Sequence, residues 1–168
     1  MLCFLGRLNW LANIMNNLLK KLQHDYPDIA FIKGDDFRWS PKSNEVMYTT
    51  EGKSAQSAAW SLLHEVGHAL LGHQRYTSDF ELIEIESAAW QKAQEVGKTY
   101  GYEIDANHIQ DCLDSYRDWL HQRSACPQCE ARSLQQENGE YRCFNCGAQW
   151  HVSTSRFCRP YRMTAKAK

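Results

Sequence analysis

The chain has 168 residues, 43% of them apolar, and a formal net charge of −1. A charged fraction of 23% and plentiful aromatics exclude a disordered chain, and no apolar run approaches the ~20 residues of a membrane span. The opening Met1-Leu2-Cys3-Phe4-Leu5-Gly6-Arg7 has no basic stretch before its apolar residues and no small-residue cleavage site, so the expectation is a cytoplasmic protein without a signal peptide.

Leu8, Leu11, Met15, Leu18, Leu19 and Leu22 recur at helical spacing, which predicts an amphipathic helix over 8–24, stopped by Pro27. Three short runs come next, Ile29–Lys33, Phe37–Ser40 and Glu45–Thr50. They are separated by Gly34-Asp35-Asp36 and Pro41-Lys42-Ser43-Asn44, and read as a small antiparallel sheet. Ser54 is a natural N-cap for a helix to about Leu71. A second helix is expected over Asp79–Lys98, and a third from an N-cap at Asp105 to about Arg123. Beyond Arg123 helical periodicity is lost and cysteines cluster, which places a boundary near that residue.

The charge divides at the same place. Residues 124–168 hold seven Lys/Arg against three acids, +4, and residues 1–123 hold twelve against seventeen, −5. The basic end is compatible with contact to nucleic acid or an acidic partner, and equally with a solvated tail.

The strongest chemical signal is His64-Glu65-Val66-Gly67-His68, an H-E-x-x-H within the helix after Ser54. Two histidines four residues apart project from one helical face, so both imidazoles can reach one ion. Zinc accepts imidazole and carboxylate in open tetrahedral geometry, and Glu65 beside it can act as the base. Ala59, Leu62, Leu63, Val66 and Leu70 mark this as a core helix, where two histidines and a glutamate need a reason to be buried.

A third ligand is required. His73 is offset from the His64/His68 face, Glu84 lies with Gln91 and Glu95 on a solvated stripe, and Asp79 and Glu81 suit a helix start. Glu86 instead lies on the stripe Leu82, Glu86, Ala89, Ala93, Val96. A carboxylate among apolar and small residues needs a partner, zinc or else a buried cation such as Arg117. The expectation is Glu86 on zinc, with Ala89 and Ala93 permitting close helix approach. Donors for a tetrahedral oxyanion could come from His73, Tyr76, Tyr100, Tyr102 or His108, and a peptide substrate is expected to pair with the Glu45–Thr50 strand.

These residues carry a family likeness. Leu63-His-Glu-Val-Gly-His-Ala-Leu-Leu-Gly-His73, followed by Glu86-Ser-Ala-Ala-Trp-Gln-Lys-Ala93, resembles the ImmA/IrrE intracellular metallopeptidases, of gluzincin type. The resemblance spans roughly residues 8–100. It implies an α+β zincin-like fold, zinc on His64, His68 and Glu86, Glu65 as base, and a repressor or regulatory protein as substrate. Trp90 stands where that family usually has asparagine, and the usual methionine-proline segment after the helix is missing.

The cysteines add a second metal signal. Cys126-Pro127-Gln128-Cys129 and Cys143-Phe144-Asn145-Cys146-Gly147 form two C-x-x-C knuckles around an Asn138-Gly139 signal for a type I′ hairpin. Four thiolates give a closed site, so a structural zinc ribbon is expected. Cys3, Cys112 and Cys158 have no motif partner. The expected organisation is therefore a metallopeptidase domain over 1–123, a ribbon over 124–152 and a basic tail over 153–168, with two Zn²⁺ per chain. The expected function is that of a zinc endopeptidase acting on a protein substrate. Two other readings compete. A SprT/Spartan-like protease acting on DNA-bound proteins would need a third histidine followed by glycine, and none of His73, His108 and His121 precedes one. A non-catalytic zinc-stabilised binding module would use the same ligands without turnover.

Overall fold

The computed structural model describes residues 15–153 and 162–164. Leu8 and Leu11 of the expected first helix, Cys3, Cys158 and the tail residues Arg156, Arg159, Lys166 and Lys168 lie outside the described residues. The chain is α+β and forms two compact units, Met1–Gln74 with Ile85–Ala106, and Arg75–Glu84 with Asn107–Lys168. No helix among the described residues is long and apolar enough to cross a membrane.

In the first unit, helix α1 runs through residues 15–25 and buries Met15, Leu18, Leu19 and Leu22. Strands β1 (Ala30–Lys33), β2 (Arg38–Ser40) and β3 (Glu45–Tyr48) form one sheet in the order β1-β3-β2. β2 and β3 are the expected antiparallel hairpin, closed by a turn in which Asn44 takes a left-handed φ of 55°. β1, however, pairs parallel with β3, so the sheet is mixed and the expectation of an antiparallel sheet is corrected. Alternation of apolar residues sets which face of a strand is buried, but not which neighbour it takes.

Helix α2 (Ala55–Leu70) packs on β2 and β3. Its N-cap is Ser54, whose hydroxyl accepts from the Ser57 amide at 3.1 Å. Ala59, Leu62, Leu63 and Val66 are fully buried, as the stripe predicted. Helix α3 (Asp79–Thr99) contributes Ala89 and Ala93, also fully buried, to this unit. Gly67 sits against α3 so closely that a Cβ there would lie 2.4 Å from the Ala89 carbonyl oxygen. The absence of a side chain at Gly67 is thus what lets the two helices meet, together with the alanines expected to do so.

The second unit contains helix α4 (Ala106–Arg123) and a sheet of β4 (Tyr141–Arg142), β5 (Gln149–Val152) and β6 (Arg162–Thr164), all antiparallel. Composition changes near Arg123, but packing keeps α4 with these strands. The Trp150 indole donates to the Arg123 carbonyl at 3.1 Å, and the buried Arg123 guanidinium lies 4.3 Å from the Trp119 ring. The expected type I′ turn is replaced by a three-residue loop. The Gln136 amide donates to Glu140 and the Gly139 amide to Gln136, and Gly139 takes a φ of 81° while Asn138 stays at negative φ. Asn138 instead accepts the Glu140 amide at 3.0 Å, the side-chain bond that favours Asn in turns.

Candidate metal centres

Helix α2 presents the histidines and α3 the glutamate of the first centre. His64, His68 and Glu86 are each 7% exposed, so the cluster is nearly closed to solvent. His64 Nε2 lies 3.1 Å from Glu86 Oε2 and 3.1 Å from His68 Nε2, and His68 Nε2 is 3.7 Å from the same carboxylate oxygen. Three ligand atoms on a tetrahedral zinc would be ~3.4 Å apart. The donor set therefore fits such an ion: two imidazole nitrogens and a carboxylate converge on one point, and could hold a metal ion. Burial pushes the Glu86 carboxyl up, but hydrogen bonds from His64 and His68 outweigh this and hold it at about 2. The expected choice of Glu86 over the other acids agrees with this placement. Arg117, the alternative partner for Glu86, pairs with Asp114 at 2.7 Å. Asp79 pairs with Arg123, Glu81 accepts from Thr77, and Glu84 is exposed.

Glu65 follows His64 on α2, and its Oε2 accepts the backbone amide of Trp39 on β2 at 2.8 Å. The carboxylate is thereby oriented by the sheet. The Trp39 indole also donates to the His73 carbonyl at 2.9 Å. His73 in turn places Nδ1 2.9 Å from His68 Nδ1. Burial, then the charge of His68, keep the His73 imidazole below its usual pKa. Of the five residues offered as oxyanion donors, His73 touches this cluster. The Tyr100 hydroxyl donates to Asp25 at 2.6 Å, and His108 faces Cys112 at 3.7 Å.

Two residues of this centre are absent from the sequence-derived site candidates. Trp39 falls within the short run Phe37–Ser40. Trp90 stacks on His64, with ring centroids 4.1 Å apart. The expectation that a peptide could pair with the Glu45–Thr50 strand is also corrected. Glu45–Tyr48 is the central strand, with both edges paired, so no peptide can add to it.

The second centre holds Cys126, Cys129, Cys143 and Cys146, whose sulfurs all lie within 4.8 Å of one another. The pairs Cys126–Cys146 and Cys129–Cys143 are 3.6 and 3.5 Å apart, close to the ~3.8 Å edge of a tetrahedral zinc–thiolate site. None of the four is in a disulfide. The knuckles match bond for bond. Cys126 and Cys143 each accept at their carbonyl from the residue four on, Glu130 and Gly147, both at 3.0 Å. Each also donates its amide to the residue five on, Ala131 at 2.9 Å and Ala148 at 2.8 Å. Glu130 and Gly147 both take positive φ, 60° and 75°. The first knuckle thus adopts, with a glutamate, the left-handed turn that glycine serves in the second. Backbone amides of Cys146 and Asn145 hold the Cys143 thiol down to about 6, which favours the thiolate.

No family model, curated protein or solved structure matches this chain.

Proposed function

We propose that the chain is a zinc-dependent endopeptidase of the ImmA/IrrE kind, with a zincin-like first unit and a structural zinc in the Cys126/Cys129/Cys143/Cys146 ribbon. The observation that carries this reading is the buried convergence of His64, His68 and Glu86 beside a glutamate, Glu65, fixed by a backbone amide. Zinc, when bound there, supplies Lewis-acid polarisation of a peptide carbonyl and a more acidic water. Glu65 takes the proton from the attacking water at its carboxylate and passes it to the leaving amine. The Trp39 amide keeps that carboxylate aimed throughout. The substrate would be a protein segment lying against β2, the sheet edge that carries Trp39. Glu86 in the third position supports this reading over a SprT/Spartan-like one, which needs a histidine there.

Glu65→Gln is the test. The variant should keep its full zinc content and capture a protein partner that the wild-type chain cleaves. A wild type and variant that treat a captured partner alike would exclude the peptidase and leave the non-catalytic binding module.

A further inference from the structure

We infer that His73 is a positioning residue for the metal ligand His68, and that Trp39 holds it in place. This rests on the reading of His64, His68 and Glu86 as a metal site.

The two histidine ligands are held in different ways. His64 lies flat against Trp90, and its Nδ1 is buried with no hydrogen-bond partner among the described residues. Stacking confines the plane of that ring but does not choose its tautomer. His68 has a polar partner. Its Nε2 faces His64 and Glu86, so ligation through Nε2 puts the proton on Nδ1, and Nδ1 lies 2.9 Å from His73 Nδ1. His68 Nδ1–H therefore donates, and His73 accepts in its Nε2–H form.

His73 can accept because the chain turns sharply after α2. Gly72 takes a φ of 62°, and the His73 amide donates back to the His68 carbonyl at 3.1 Å. The imidazole of His73 thus returns over the residue five positions earlier. Trp39 completes the anchor with its indole bond to the His73 carbonyl, while its own amide holds Glu65. One strand residue therefore ties down both the base and the group that orients a ligand. Removing such an outer partner of a metal-bound histidine lowers metal affinity ~10–100-fold.

The experiment is a chelator-competition titration of the full chain with zinc alone, in which the cysteine-held equivalent serves as internal reference. His73→Ala should weaken the other equivalent by about 10–100-fold and leave the reference unchanged. His73→Asn should restore affinity to within a few-fold, because its amide oxygen can accept where Nδ1 does. Trp39→Phe, which keeps the backbone bond to Glu65, should give a smaller loss. Unchanged affinity in His73→Ala overturns the proposal, and so does a His73→Asn as weak as the alanine variant, since lost packing alone would not distinguish them. If His73→Ala does not fold, the asparagine variant against wild type decides, with a loss of tenfold or more counting against the proposal. A wild type that binds a single zinc through its cysteines would overturn the metal reading itself, a result distinct from the others.

Discussion

The two centres are built in opposite ways. His64, His68 and Glu86 hang on long helices whose core, Leu62, Leu63, Val66, Ala89 and Ala93, is closed without them. The cysteine centre hangs on two knuckles and strands of two to four residues, and its buried cluster is Cys126, Tyr141, Cys143 and Trp150. Half of that cluster is ligand. In the first unit the fold makes the ligand site. In the second, a metal would help make the fold, because so few apolar groups cannot offset the entropy of ordering the chain.

The largest effect expected from this contrast is a selective one. Stripping metal with a strong chelator should unfold the knuckles, with a loss on the order of 10 kcal/mol, while helix α2 persists. Hydrogen exchange checks it: amides of residues 126–152 should lose protection and those of 55–70 keep it. Equal loss in both segments would erase the contrast.

The converse break is Gly67→Ala. A Cβ 2.4 Å from the Ala89 carbonyl oxygen forces α2 and α3 apart, at a cost of roughly 1–3 kcal/mol. Chemical denaturation should show a lower midpoint, and any metal ion bound through His64 and His68 should be held more weakly because Glu86 rides on α3. The cysteine centre should be untouched.

A finer comparison uses two tyrosines, each donating its hydroxyl to an aspartate. In the second unit Tyr141 donates to Asp79. It is fully buried, stacks on Trp150 at 5.3 Å and lies near Arg123. In the first, half-buried Tyr100 donates to exposed Asp25. Tyr141→Phe should cost about 1–3 kcal/mol, since it leaves a buried acceptor, and Tyr100→Phe about 1 kcal/mol or less. Burial, reinforced by the aspartate bond, raises both hydroxyl pKa values above the unfolded value near 10. The neutral form is the one the fold favours, so this stability is complete below about pH 10 and is lost as pH rises above it. Alkaline unfolding curves should be less steep in each phenylalanine variant, and more so for Tyr141. Equal effects at both sites would deny the difference in burial.

Much of this was legible in the sequence because it is local. Histidines four residues apart on a helix share a face whatever surrounds them, and Ser54 caps α2 through a bond only three residues long. Glu86 stood out because a charge amid alanines is costly. C-x-x-C spacing brought the thiols together because each knuckle closes its own backbone bonds, so its geometry needs nothing distant.

What the sequence left open depended on partners far along the chain. Strand alternation could not show that β3 lies between β1 and β2, and so the strand expected to accept a peptide is one with both edges already paired. Asn138-Gly139 signalled a turn but not its loop length, which the pairing of Gln136 with Glu140 decides. The step in charge at Arg123 marked a change of composition, while the contacts of Arg123 and Trp150 decided where α4 packs. The bonds of Trp39 to Glu65 and His73 join residues 26 and 34 positions apart, and no spacing rule reaches that far. Sequence determined which atoms could bind a metal, through periodicity and the cost of burying charge. Tertiary structure decided how those atoms are held, because orientation comes from hydrogen bonds that only the folded chain brings within reach.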